Sequence, residues 1–258
     1  MEAKGSESSG GSENLPFRLV DQQSQTVLLR AEDILGFFVD PDQTPPDLVT
    51  FTGVQHLGTG RGKTEEAELQ VVDRHGERIG AYYLGRVRAA RSRTPDVNDE
   101  RNPEVPYDFF GFTEEFPEAG RIWKRWAGAG PVESGEWARV PAGWQESWLH
   151  VVQTSWFTTG RRATRYRGGG TVELDGSLIT GRDAFYCALG EAANGPRGYF
   201  GSNLDALFDC LRTARADGTA PFELVWREQA ASRAALGADF TGQVLGLLGE
   251  CGVTVRSD

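Results

Sequence analysis

The chain has 258 residues, more than a typical single domain of about 100 to 200, so two domains are the first expectation. Its 33 Gly and 12 Pro call for many turns and exclude a bundle of long helices. A formal net charge of −10 disfavours long-range attraction to phosphate and argues against nucleic acid as a partner.

In chain order, Met1 to Asn14 is Gly, Ser and Glu without an apolar run, the composition of a disordered tail rather than of a leader segment. Between residues 15 and 157, short runs rich in Val, Phe, Tyr and Trp alternate with turn clusters. Leu69 to Val72, the turn Asp73 to Arg78 and Ile79 to Leu84 predict a hairpin, and the whole region reads as a mostly-β (α+β) domain. The Pro-containing stretches Asp40 to Asp47 and Ser92 to Tyr107 read as loops. Six of the seven Trp fall between Trp123 and Trp156, where they form either a core or a ligand groove. Residues 158–170, rich in Arg and ending in three Gly, read as a solvated linker.

Residues 171–258 change to alternating strand and helix signals, which favour an α/β domain with a three-stranded parallel sheet and about four helices. Strands are expected at Thr171 to Leu174, Phe222 to Trp226 and Val253 to Val255. Thr180 with Asp183 predicts the start of a helix running to about Ala193. Ser202 is placed as the N-cap of a second helix, and two more span Arg227 to Leu236 and Asp239 to Glu250. This part carries 12 acidic residues against 7 Arg, a charge density roughly twice that of the rest, which suits a basic partner.

The segment Tyr199 to Leu211 carries the sharpest signal. Its leucines repeat at helical spacing, whereas Asp205 and Asp209 stand four apart on the other face, an arrangement that costs a helix a few tenths of a kcal/mol. The helix dipole compensates Asp205, while nothing in the sequence compensates Asp209. An acidic knob beside Tyr199 and Phe208 fits a protein interface, and from residue chemistry alone a solvated helix face fits as well.

The same run resembles the signature of the barstar family: tyrosine, aromatic, glycine, any residue, asparagine, leucine, aspartate, alanine, leucine, aromatic, aspartate, cysteine, leucine. Val172 to Gly176, Pro221 to Arg227 and Cys251 to Val255 are similar to the family's three strands. The resemblance implies a stoichiometric, non-catalytic inhibitor of a microbial ribonuclease of the guanyl-specific type, or of another toxin with a basic active site. By resemblance the toxin-binding residues are Tyr199, Gly201, Asn203, Asp205, Phe208 and Asp209, with Asp209 standing in for the substrate phosphate. The family's tryptophan positions are Phe208 and Ala214 here; its last-helix glutamate falls at about Gly246, with Glu250 the acid that remains nearby and the seventh candidate.

No catalytic, cofactor or metal site is expected. The run Gly58 to Thr64 lacks the glycine that a phosphate loop needs at position 57, where Leu57 stands. His56, His75 and His150 are scattered, and Cys187, Cys210 and Cys251 lack metal or disulfide-framework spacing. With no apolar stretch of about 18 residues, the expectation is a soluble cytoplasmic protein. The competing reading makes residues 15–157 the principal binding module, or an unrecognised enzyme, with the C-terminal part accessory.

Overall fold

The computed structural model describes residues 15–57, 63–90, 104–109, 113–128, 130–167 and 170–257. The expected tail 1–14, the run 58–62 and most of the expected loop from Ser92 lie outside them.

Eight strands form the first sheet: β1 (Phe17–Asp21), β2 (Thr26–Ala31), β3 (Asp33–Leu35), β4 (Val49–Thr52), β5 (His56–Leu57), β6 (Lys63–Val72), β7 (Arg78–Ala89) and β8 (Val105–Phe109). Their order is β3-β4-β8-β7-β6-β1-β2-β5, with every neighbouring pair antiparallel. β6 and β7 are the expected hairpin. Along β6, Ala67, Leu69 and Val71 are buried at the strand period of two. Val105 to Tyr107, expected in a loop, instead belong to β8: Pro106 has no N–H to give, but its carbonyl accepts from the Ala90 N–H, Tyr107 is buried and the strand lies between β4 and β7.

Two helices missing from the sequence reading, α1 (Ala119–Gly128) and α2 (Gln145–Thr158), complete this half. Trp123 of α1 fits the sheet because Gly80 on β7 has no side chain; a Cβ there would lie 2.3 Å from the indole. The Trp123 Nε1–H donates to Tyr82 Oη at 2.7 Å. Trp123, Trp126, Trp137, Trp148 and Trp156 are buried and Trp144 is half-buried against them, so the tryptophan cluster serves as core.

The second sheet is parallel, in the order β11-β10-β9, with β9 (Thr171–Asp175), β10 (Glu223–Arg227) and β11 (Thr254–Ser257). Around it lie α3 (Arg182–Asn194), α4 (Leu204–Ala216), α5 (Gln229–Leu236) and α6 (Ala238–Glu250), as the alternating pattern predicts. The caps differ from expectation. Gly181 rather than Thr180 precedes α3 and gives no side-chain cap, and Asn203 rather than Ser202 caps α4, its Oδ1 accepting from the Ala206 N–H at 2.8 Å.

Residues 158–167 are docked at Thr164 and Arg165, while Arg161, Arg162 and Arg167 stay exposed as expected of a linker. The Arg165 guanidinium lies 4.6 Å above the Phe222 ring and Arg161 lies 4.5 Å above Trp156, while Arg162 pairs with Asp217. Thr164 and Arg165 are buried. Asn194, the last residue of α3, holds this stretch: its Nδ2 donates to the carbonyls of Thr164 and Tyr199, and its Oδ1 accepts from the Tyr166 N–H.

Helix α2 packs between β7 and α3, so the buried apolar residues of both halves form one continuous cluster. α3 is buried nearly all round for this reason. A polar lock reinforces the contact. Glu136 is 6% exposed and pairs with Arg197 at 2.9 Å, whose guanidinium covers Trp126; the Glu191 carboxylate accepts from the Gly135 N–H.

Candidate functional site

The site is built on α4 and on the loop that enters it. Leu207, Cys210 and Leu211 face the core, each buried leucine contributing about 1.5–3 kcal/mol. That orientation leaves Asp205, Phe208 and Asp209 exposed. Phe208 is 42% exposed, a large ring left in water beside two carboxylates.

The preceding loop is tightly fitted. Gly201 adopts φ +99°, and a Cβ there would come within 2.7 Å of the Leu207 backbone nitrogen. Gly190 and Gly198 let the loop cross α3, since a Cβ on Gly190 would meet the Gly198 carbonyl at 2.4 Å. Asn203 serves the backbone as a cap, which fixes the first turn and thereby the direction of Asp205.

Asp209 is not uncompensated, as the sequence implied. Its Oδ1 accepts from Arg212 at 3.0 Å, one turn on. With the two side chains 56% and 69% exposed, such a pair holds by about 0–1 kcal/mol and yields easily to a stronger cation.

Asp205, Phe208 and Asp209 therefore share one face with Asn203 and Gly201 at its edge. Two other candidates do not join them. Tyr199 is only 2% exposed, because Phe157 at the end of α2 lies against its ring; its Oη lies 3.5 Å from Ser202 Oγ, and burial pushes the phenol pKa up. Glu250 ends α6 near Arg215, whereas the N-terminal half of α6, Phe240 and Gln243, faces Asp205. The two helices run side by side in the same direction, so Glu250 sits at the far end, roughly 15 Å along α4 from Asp205.

Phe157 and Asn194 are site-forming residues that sequence reasoning missed. Both act across the join between halves, and no local spacing signals that. Cys210 is a buried thiol whose pKa burial pushes up to about 12, which makes it inert. Among the described residues no group of His, Cys, Asp and Glu is placed to hold a metal ion.

Comparison with known families agrees with this geometry. Residues 170–255 match the family model Barstar, barnase inhibitor. The barstar match covers the parallel sheet and α3 to α6, while the N-terminal half matches no family model. Comparison with the curated proteins finds no match. Members of the barstar family are inhibitors rather than enzymes. No helix among the described residues is long and apolar enough to cross a membrane.

Proposed function

We propose that the barstar segment binds and blocks the active site of a microbial ribonuclease, or of a related toxin enzyme, through the acidic face of α4. The observation that carries this reading is the exposure of Asp205 and Asp209 on one helix face beside an exposed Phe208. In this reading Asp209 occupies the substrate phosphate position among the enzyme's basic residues, and Asp205 engages a neighbouring cation. Asn203 and Gly201 shape the loop, and Phe208 supplies the aromatic anchor. Tyr199 supports the face from beneath, and Glu250 lies outside it. A carboxylate entering a dry basic pocket makes charge-assisted hydrogen bonds, and its loss strands the pocket's charges.

The remaining parts follow from this role. Residues 15–157 form a module of their own, joined through 158–170 to the inhibitor module 171–258. Three free thiols suit a reducing, cytoplasmic setting.

The test mixes the purified full chain with a guanyl-specific microbial ribonuclease and follows RNA cleavage. Equimolar protein is expected to abolish cleavage, and Asp209→Ala to weaken inhibition by about 2–5 kcal/mol, a magnitude itself drawn in part from the barnase–barstar pair. Undiminished cleavage with equimolar wild-type protein would overturn the reading for this enzyme class.

A further inference from the structure

Beside the acidic face, a recess of about 410 Å³ opens between the first turns of α3 and α4 and the N-terminal half of α6. Asp183 and Tyr186 line it from α3, Asn203 and Asp205 from α4, and Phe240 and Gln243 from α6. Three features set it apart from a mere gap between helices. Tyr186 lines the recess and is 2% exposed, and its buried hydroxyl has no hydrogen-bond partner among the described residues. Buried phenols ordinarily find a partner, so this one is held ready for a group that comes from outside. Neither Asp183 nor Asp205 has an ion-pair partner among the described residues. Arg182, which also lines the recess, lies 4.8 Å above the Phe240 ring instead.

We infer that this recess receives an arginine side chain of the bound protein partner, with Asp183 and Tyr186 as specificity-determining residues. The guest must be cationic, because two carboxylates converge there and only one guanidinium, already stacked, is present. It must carry several donors in a plane, because the acceptors stand on three different helices. A guanidinium has five such donors, whereas an ammonium is a compact point charge. The volume exceeds that of the head group alone and leaves room for part of the aliphatic stem. Burial also pushes the Asp183 carboxyl pKa up, and a cation placed beside it would bring it back down.

The inference rests on the proposed reading of the acidic face, and it extends that face beyond α4 to residues the barstar signature does not include. The experiment therefore uses a probe independent of any toxin. Nα-acetyl-arginine amide is titrated into the full chain and followed by backbone-amide NMR, with the norleucine analogue as the uncharged control. Saturable shifts are expected at 182–186 and 202–205, with Kd on the order of millimolar, as suits one side chain. Asp183→Asn and Tyr186→Phe, both conservative in shape, are expected to weaken binding about tenfold. Absence of saturable shifts in the wild type, or an equal response to norleucine, overturns the inference whatever the ribonuclease assay shows. Retained arginine binding with no ribonuclease inhibition would overturn the choice of enzyme class and leave the recess standing.

Discussion

The ring of Phe157 stands edge-on to that of Tyr199, 5.2 Å between centroids, so a residue of the N-terminal half roofs the tyrosine that opens the barstar signature. In the intact chain, Tyr199 should resist nitration by tetranitromethane, whereas Tyr83 and Tyr166, both more than half exposed, should react. Phe157→Ala should make Tyr199 reactive and lower stability by about 1–2 kcal/mol, since the ring is only partly buried. Peptide mass mapping reads both outcomes, and ready nitration of Tyr199 in the wild type would contradict the roof.

Asp209→Ala separates binding from stability. It removes a like-charge neighbour of Asp205 and an exposed pair with Arg212, two small effects of opposite sign. Thermal unfolding should therefore move by no more than about 0.5 kcal/mol while inhibition collapses. A large drop in Tm would show that Asp209 holds the fold and would remove it as a binding residue.

The Glu136–Arg197 pair should be among the most sensitive points of the join. Glu136→Gln leaves a buried guanidinium without its counter-charge and should cost about 3–5 kcal/mol in urea unfolding. Glu136→Leu combined with Arg197→Met should recover most of that loss, because two apolar side chains need no compensation. A single-variant loss below about 1 kcal/mol would mean that water reaches the pair.

His150 sets an acid limit. It packs on Phe116 at 3.9 Å between ring centroids, shares a hydrogen bond with Tyr82 Oη, and is held by burial to a pKa of about 4. The unfolded chain takes up that proton near pH 6.5, so stability contributed by neutral His150 is complete above that value and is lost as pH falls towards 4. The loss amounts to at most about 3 kcal/mol. Glu114, 3.7 Å away with its pKa raised by burial, offsets part of it. Unfolding free energy measured across this range should slope less in His150→Gln than in the wild type; equal slopes would exclude His150 as the cause.

Much of the C-terminal half was legible because its signals are local. Strand, turn and amphipathic helix alternate within short windows, and the face with Asp205 and Asp209 follows from leucine spacing alone. The caps slipped by one residue at both helices because Thr180 and Ser202 are as competent chemically as what the backbone used, and only the loop path selects Gly181 and Asn203. Helix α2 escaped notice because it is covered on two sides, by β7 and by α3, so its apolar residues do not fall on one stripe. Tyr199 was expected at the surface for a related reason: a signature says which residues accompany it, not what another part of the chain lays over it. The arginines of 158–167 looked solvated for want of neighbouring core residues, yet Arg165 finds the Phe222 ring and Arg162 the Asp217 carboxylate, both far away in sequence.

Helix α3 is walled by its own sheet on one side and by α2 on the other. A fragment trimmed to the barstar match would bare Ala184, Ala188 and Cys187, whose thiol meets the Gln145 carbonyl in the intact chain. Such a truncated piece should self-associate through that stripe and acquire an oxidisable sulfur. Studies of such a fragment would then report on a surface the whole molecule never shows.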